Sequence, residues 1–130
     1  MTVRKLSDLG RLTEAAFLAE QAKLAKLSRQ EAELRAQLAH LLEDRGRLAQ
    51  TERPVGEAAL SAGADVRWHQ WIAARQTRIN AEILQIMALK SHQLDLVRKA
   101  HGRAQALGQL TQRARIEQAR KLAARQDRDA

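Results

Sequence analysis

Cysteine is absent from this 130-residue chain, so no disulfide framework and no thiolate metal site can hold it together, and packing alone must do so. Aromatic residues are nearly absent as well. Tyrosine does not occur, and only Phe17, Trp68 and Trp71 remain, too few for a thick globular core. Proline occurs once, at Pro54. No run approaches the roughly 18 consecutive apolar residues that would cross a bilayer. Residues 1–12, MTVRKLSDLGRL, lack the apolar centre of a signal peptide. The chain therefore reads as cytoplasmic, neither secreted nor membrane-spanning, although peripheral association with the inner face of a membrane is allowed.

Catalytic and cofactor chemistry lacks its usual residues. His40, His69, His92 and His101 include no pair three residues apart, and no HExxH, paired-cysteine or acidic calcium-loop spacing occurs. Ser7, Ser28, Ser61 and Ser91 sit in nothing like a nucleophile elbow. The glycines form neither GxxxxGK nor GxGxxG. These patterns predict no enzyme, no metal and no cofactor.

What the chain does have is Ala, Leu, Arg, Gln, Glu and Lys, the composition of long helices and coiled coils. From Leu6 to Leu48, leucines recur at helical steps. Leu27, Leu34, Leu41 and Leu48 form a seven-residue ladder. Glu31 and Arg45 interrupt this seam. The favoured reading is that each lays its stem along the seam and its head in water, and the sharper one is that it sets register against a charged partner. Thr2 or Ser7 would cap the helix start.

Thr51 to Gly56, with Pro54 among them, should end that helix, and Gly63 should clear the way for the next, capped by Ser61 or Asp65. The second helix, expected over about 65–128, would be roughly 95 Å long and so needs an equally long partner. Its apolar residues, Ile72, Ile79, Ile83, Ile86, Met87, Leu94 and Val97 onward, trace a drifting stripe with a polar gap at Lys90 and Gln93, which suggests a seam that is not purely heptad. Gly102 and Gly108 would mark close helix approach or local flexibility.

The expected fold is all-α: a single unit over 1–130 in which two long helices, about 6–50 and 65–128, form an antiparallel coiled-coil hairpin across a connector at about 51–64. If the turn centres near residue 57, position i faces about 114 minus i. The partners then run out near residue 110, and the longer second helix overhangs.

Charge concentrates on that second helix. The net charge of +8 divides into +2 over residues 1–50, −2 over 51–65, +4 over 66–100 and +4 over 101–130. The arginines near the C-terminus have no aromatic neighbour for base stacking and are interspersed with Glu117, Asp127 and Asp129, so specific nucleic-acid recognition is not expected. Trp68 and Trp71 share one helix face just after the connector. Plugging the hairpin turn is the first reading of the pair. The alternative is a docking hot spot flanked by Arg67 and Arg75.

Taken together, the leucine-seamed first helix, the Pro/Gly connector and the second helix RINAEILQIMALKSHQLDLVRKAHGRAQALGQLTQRARIEQARK resemble the FliJ family. Its members are small stalk proteins of flagellar and type III secretion export, with YscO-type relatives. The resemblance implies a stalk that enters a hexameric export-ATPase ring, touches the export gate and handles export chaperones. On that basis Arg113, Arg115, Arg120, Lys121 and Arg125 are the expected ring contacts. Trp68, Trp71 and Arg75 are the expected docking residues for gate or chaperone. The competing classes are a dimerising coiled-coil scaffold and a basic nucleic-acid-associated helix.

Overall fold

The structure, a computed structural model, describes residues 2–49 and 58–130, with side chains over 2–47 and 63–130. Two helices account for almost all of it: α1, Val3–Ala49, and the longer α2, Ala58–Asp129. They pack against each other as an antiparallel hairpin. Of the two expected caps, Thr2 starts α1 and Ser7 lies inside it. The Thr2 Oγ1 accepts a hydrogen bond from the Lys5 amide at 3.3 Å, and its carbonyl accepts the first helical bond from Leu6.

The start of α2 differs from expectation. Residues 58–64 are helical, so Gly63 lies inside the helix rather than before it, and Ser61 and Asp65 are not caps. The remainder of the expected connector, residues 51–57, lies outside the described residues. One interior glycine costs only about 1 kcal/mol relative to alanine, which the flanking alanines offset.

The helices contribute to two compact units, Lys26–Lys90 and the pairing of 1–25 with 91–130. The middle unit has an aliphatic core. Leu41, Ile72, Ile79 and Ile83 are buried, and Leu34, Leu38 and Trp68 pack on them. Ile72 is almost wholly enclosed, at 1% exposure. The ladder leucines Leu27, Leu34 and Leu41 all face inward, while Leu48 lies beyond the described side chains.

The terminal unit is thinner and more polar. Here α1 turns Leu6, Gly10, Thr13, Phe17, Glu20 and Leu24 inward, at alternating steps of four and three. Buried on α2 are Gln93, Ala100 and Thr111. The Thr111 hydroxyl donates back to the Leu107 carbonyl at 2.8 Å, so it enters the interior already satisfied.

These positions revise two sequence expectations. Leu9 and Leu12 are exposed, at 39% and 67%, because each step of three residues lags a full turn by about 60° and carries them off the face that Leu6 occupies. On α2 the polar gap closes: the inward positions step by four, four and three over 68–79, not purely heptad as expected, and alternate four and three from there on. In the middle unit they are Trp68, Ile72, Gln76, Ile79, Ile83, Ile86 and Lys90, and in the terminal unit Gln93, Val97, Ala100, Ala104, Leu107, Thr111 and Ala114. The remaining drift came from counting Met87 and Leu94, which are exposed, and passing over polar residues that are not.

Candidate functional site

Three groups of side chains stand out on the helix pair: a polar insertion within each unit, the tryptophan pair, and the basic end of α2.

In the middle unit Glu31 occupies an inward heptad position of α1 and cannot be left uncompensated there. Lys90 Nζ donates to its Oε2 at 2.8 Å, and Arg35 Nη2 donates to its Oε1 at 3.1 Å from one turn along α1. Arg35 also reaches Met87 Sδ on α2, at 3.8 Å. Hydrogen bonding from Lys90, and then from Arg35, holds the Glu31 carboxyl below its usual 4.5, against the opposing effect of burial. The sharper of the two sequence readings applies to Glu31, which faces a charged partner across the seam. Arg45, by contrast, is simply exposed.

The terminal unit has a counterpart built on an amide. Gln93, 7% exposed, donates from Nε2 to the Glu20 backbone carbonyl at 2.9 Å and to the Glu20 carboxylate. The Gln93 bond is the main cause that lowers the Glu20 pKa, with Lys23 contributing. Phe17 meets His101 with ring centroids 5.0 Å apart. The expected counterpart of Phe17 was Val97, so the register here lies one turn further along α2.

That shift, with α1 starting at Val3, extends the cover on α2. A groove of about 340 Å³ between the helices is lined by Ser7, Gly10 and Arg11 on one side and by Gly108, Thr111 and Arg115 on the other. A second places Thr2 and Val3 beside Ala114, Glu117, Gln118 and Lys121. The partners therefore run out near 114–121 and not near 110. Arg115 lies beside the first turns of α1 and Lys121 at its edge, while Arg113, Arg120 and Arg125 line neither groove. All five are exposed, and every residue from Arg115 to Ala130 is exposed. Lys121 pairs with Glu117 at 3.6 Å.

The tryptophan pair divides. Trp68 is half-buried against the middle-unit core, and its Nε1 is buried without an acceptor. Trp71 is 53% exposed and stacks on Trp68, with centroids 5.3 Å apart and planes 18° apart. Trp68 packs on the core and Trp71 is left on the surface with an exposed Arg75, while the turn that the pair was expected to plug lies outside the described residues.

The glycines do not mark close approach. A Cβ at Gly102 or Gly108 would meet nothing within 4 Å. Among the described residues no group of three or more His, Cys, Asp or Glu side chains gathers, and no helix is long and apolar enough to cross a membrane. A further open groove, about 460 Å³, runs beside the seam and is lined mainly by Gln and Glu.

Sequence reasoning had noticed Glu31, Lys90 and Gln93 separately, but not Glu20 or Arg35. The missing information was the register that brings them together. The chain was compared with protein-family models, with curated proteins and with solved structures, and nothing matches in any of the three.

Proposed function

We propose that the chain is a non-enzymatic stalk of a flagellar-type protein-export apparatus, similar to the FliJ family, that engages a hexameric export ATPase through the basic end of α2. The observation that carries this reading is the exposure of every residue from Arg115 onward. This stretch bears Arg115, Arg120, Lys121, Arg125 and Arg128 against Glu117, Asp127 and Asp129. A helix that leaves its cationic side chains in water is suited to an acidic lining, where carboxylates supply bidentate partners for guanidinium groups. The export gate and export chaperones are the further partners, docking at Trp68, Trp71 and Arg75.

The test is capture by an immobilised export ATPase at moderate salt. The wild-type chain is expected to bind. Reversal of charge at Arg115, Arg120, Lys121 and Arg125 should abolish capture without loss of helicity. If no capture occurs while RNA or DNA binds with a steep salt dependence, the stalk reading is wrong. The second reading, a dimerising scaffold, draws on the exposed Leu12, Leu18, Leu84 and Leu89. Mass in solution separates the two, since the stalk requires a monomeric hairpin.

A further inference from the structure

We propose that Arg67, Trp71, Arg75 and Arg78 form a ridge on α2 that docks an acidic helical segment of a partner protein. This deepens the docking role given above to Trp71 and Arg75, and rests on it. Steps of four, four and three residues keep the four side chains on one helix face. All four are exposed. Each directly precedes an inward residue, Trp68, Ile72, Gln76 and Ile79, so the ridge runs alongside the packed seam and is not consumed by it.

Two observations identify the partner. The first is a prepared apolar anchor. Trp71 is half exposed, but its ring is stacked on Trp68, which is in turn fixed by the core of the middle unit. A ring already held in place loses little freedom on binding and offers its uncovered surface to an aliphatic side chain. The second is charge. From Val66 to Ala81 there is no acidic residue. Among the described residues none of the three arginines forms an ion pair. Unpaired guanidinium groups around an aromatic anchor complement carboxylates next to an apolar residue. A single-stranded nucleic acid fits less well, because successive bases need several free aromatic faces and this pair covers two of its faces against each other.

The probe is a fluorescein-labelled synthetic helix of Glu and Leu, compared by anisotropy with its Lys-for-Glu analogue and with oligothymidylate at near-physiological salt. The wild-type chain is expected to prefer the Glu peptide. Trp71→Ala and the double variant R75E/R78E should each weaken it about tenfold or more, and R75E/R78E should gain the Lys peptide instead. Reversal of Arg115, Arg120, Lys121 and Arg125 should leave most of the Glu-peptide affinity. Circular dichroism checks the fold, and if Trp71→Ala loses helicity, R75E/R78E decides alone. The proposal is overturned if the wild type does not bind the Glu peptide, if R75E/R78E binds it undiminished, if reversal of the C-terminal charges is what abolishes binding, or if oligothymidylate binds more tightly. Capture by the export ATPase, measured on the same R75E/R78E protein, keeps the two failures apart, since that contact uses the other basic cluster.

Discussion

Trp68 and Trp71 lie one turn apart on the same helix, yet they meet different surroundings. Trp68 packs on Leu41, Ile72 and their neighbours, and truncating it removes a large apolar contact. Trp68→Ala should cost about 2–3 kcal/mol, below the range for a fully buried tryptophan because this one is only partly buried. Trp71→Ala gives up only a stacking partner and surface area, at about 1 kcal/mol or less. Thermal unfolding of the two single variants would show the difference, and equal losses would contradict the division. The unpartnered Nε1 of Trp68 further limits what that residue contributes, since a buried donor without an acceptor is itself unfavourable.

At the scale of the element, α2 carries three interior glycines that the packing does not require, Gly102 and Gly108 among them in its terminal half. With nothing within 4 Å of the position a Cβ would take, Gly102→Ala and Gly108→Ala should each stabilise the chain by up to about 1 kcal/mol through helix propensity. Raised melting temperatures would confirm it, and a loss would mean that the helices approach more closely there than the structure places them. The existence of both helices, their antiparallel pairing and the inward leucine ladder were legible from periodicity. The seam of the terminal unit was legible on α2 at Val97, Ala104, Leu107, Thr111 and Ala114, but not where it passes through Gly10, Thr13, Glu20 and Gln93. An apolar count cannot see such positions. Their polar groups become tolerable only through hydrogen bonds that depend on the partner helix or on the preceding turn.

For the molecule as a whole, acid is the informative variable. The Glu20 and Glu31 carboxyls are held below their usual 4.5 by hydrogen bonds made to the ionised form, so each stabilises the fold fully above that value. The contribution is lost as pH falls through the depressed folded-state pKa. Thermal melts taken from neutral into acidic buffer should show this loss, superimposed on the growing self-repulsion of a chain already at +8. The Glu20→Gln and Glu31→Gln variants should have a shallower acid limb, and an unchanged one would show that these bonds do not form. The candidate sites were half legible in the same sense. Charge and aromatic clusters stood in the sequence, but which tryptophan faces water and how far α1 covers the C-terminal arginines depended on register.

The uncovered end of α2 has a consequence in heat. Nucleation is the costly step in making a helix, and a segment that continues a helix already formed avoids it. With no partner from α1 among the described residues to make its loss cooperative, the stretch beyond Lys121 should unwind residue by residue from its far end. The far-ultraviolet ellipticity of the folded protein would then slope with temperature well before the main transition, and that slope would belong to the end that the proposed ring contact would hold in place.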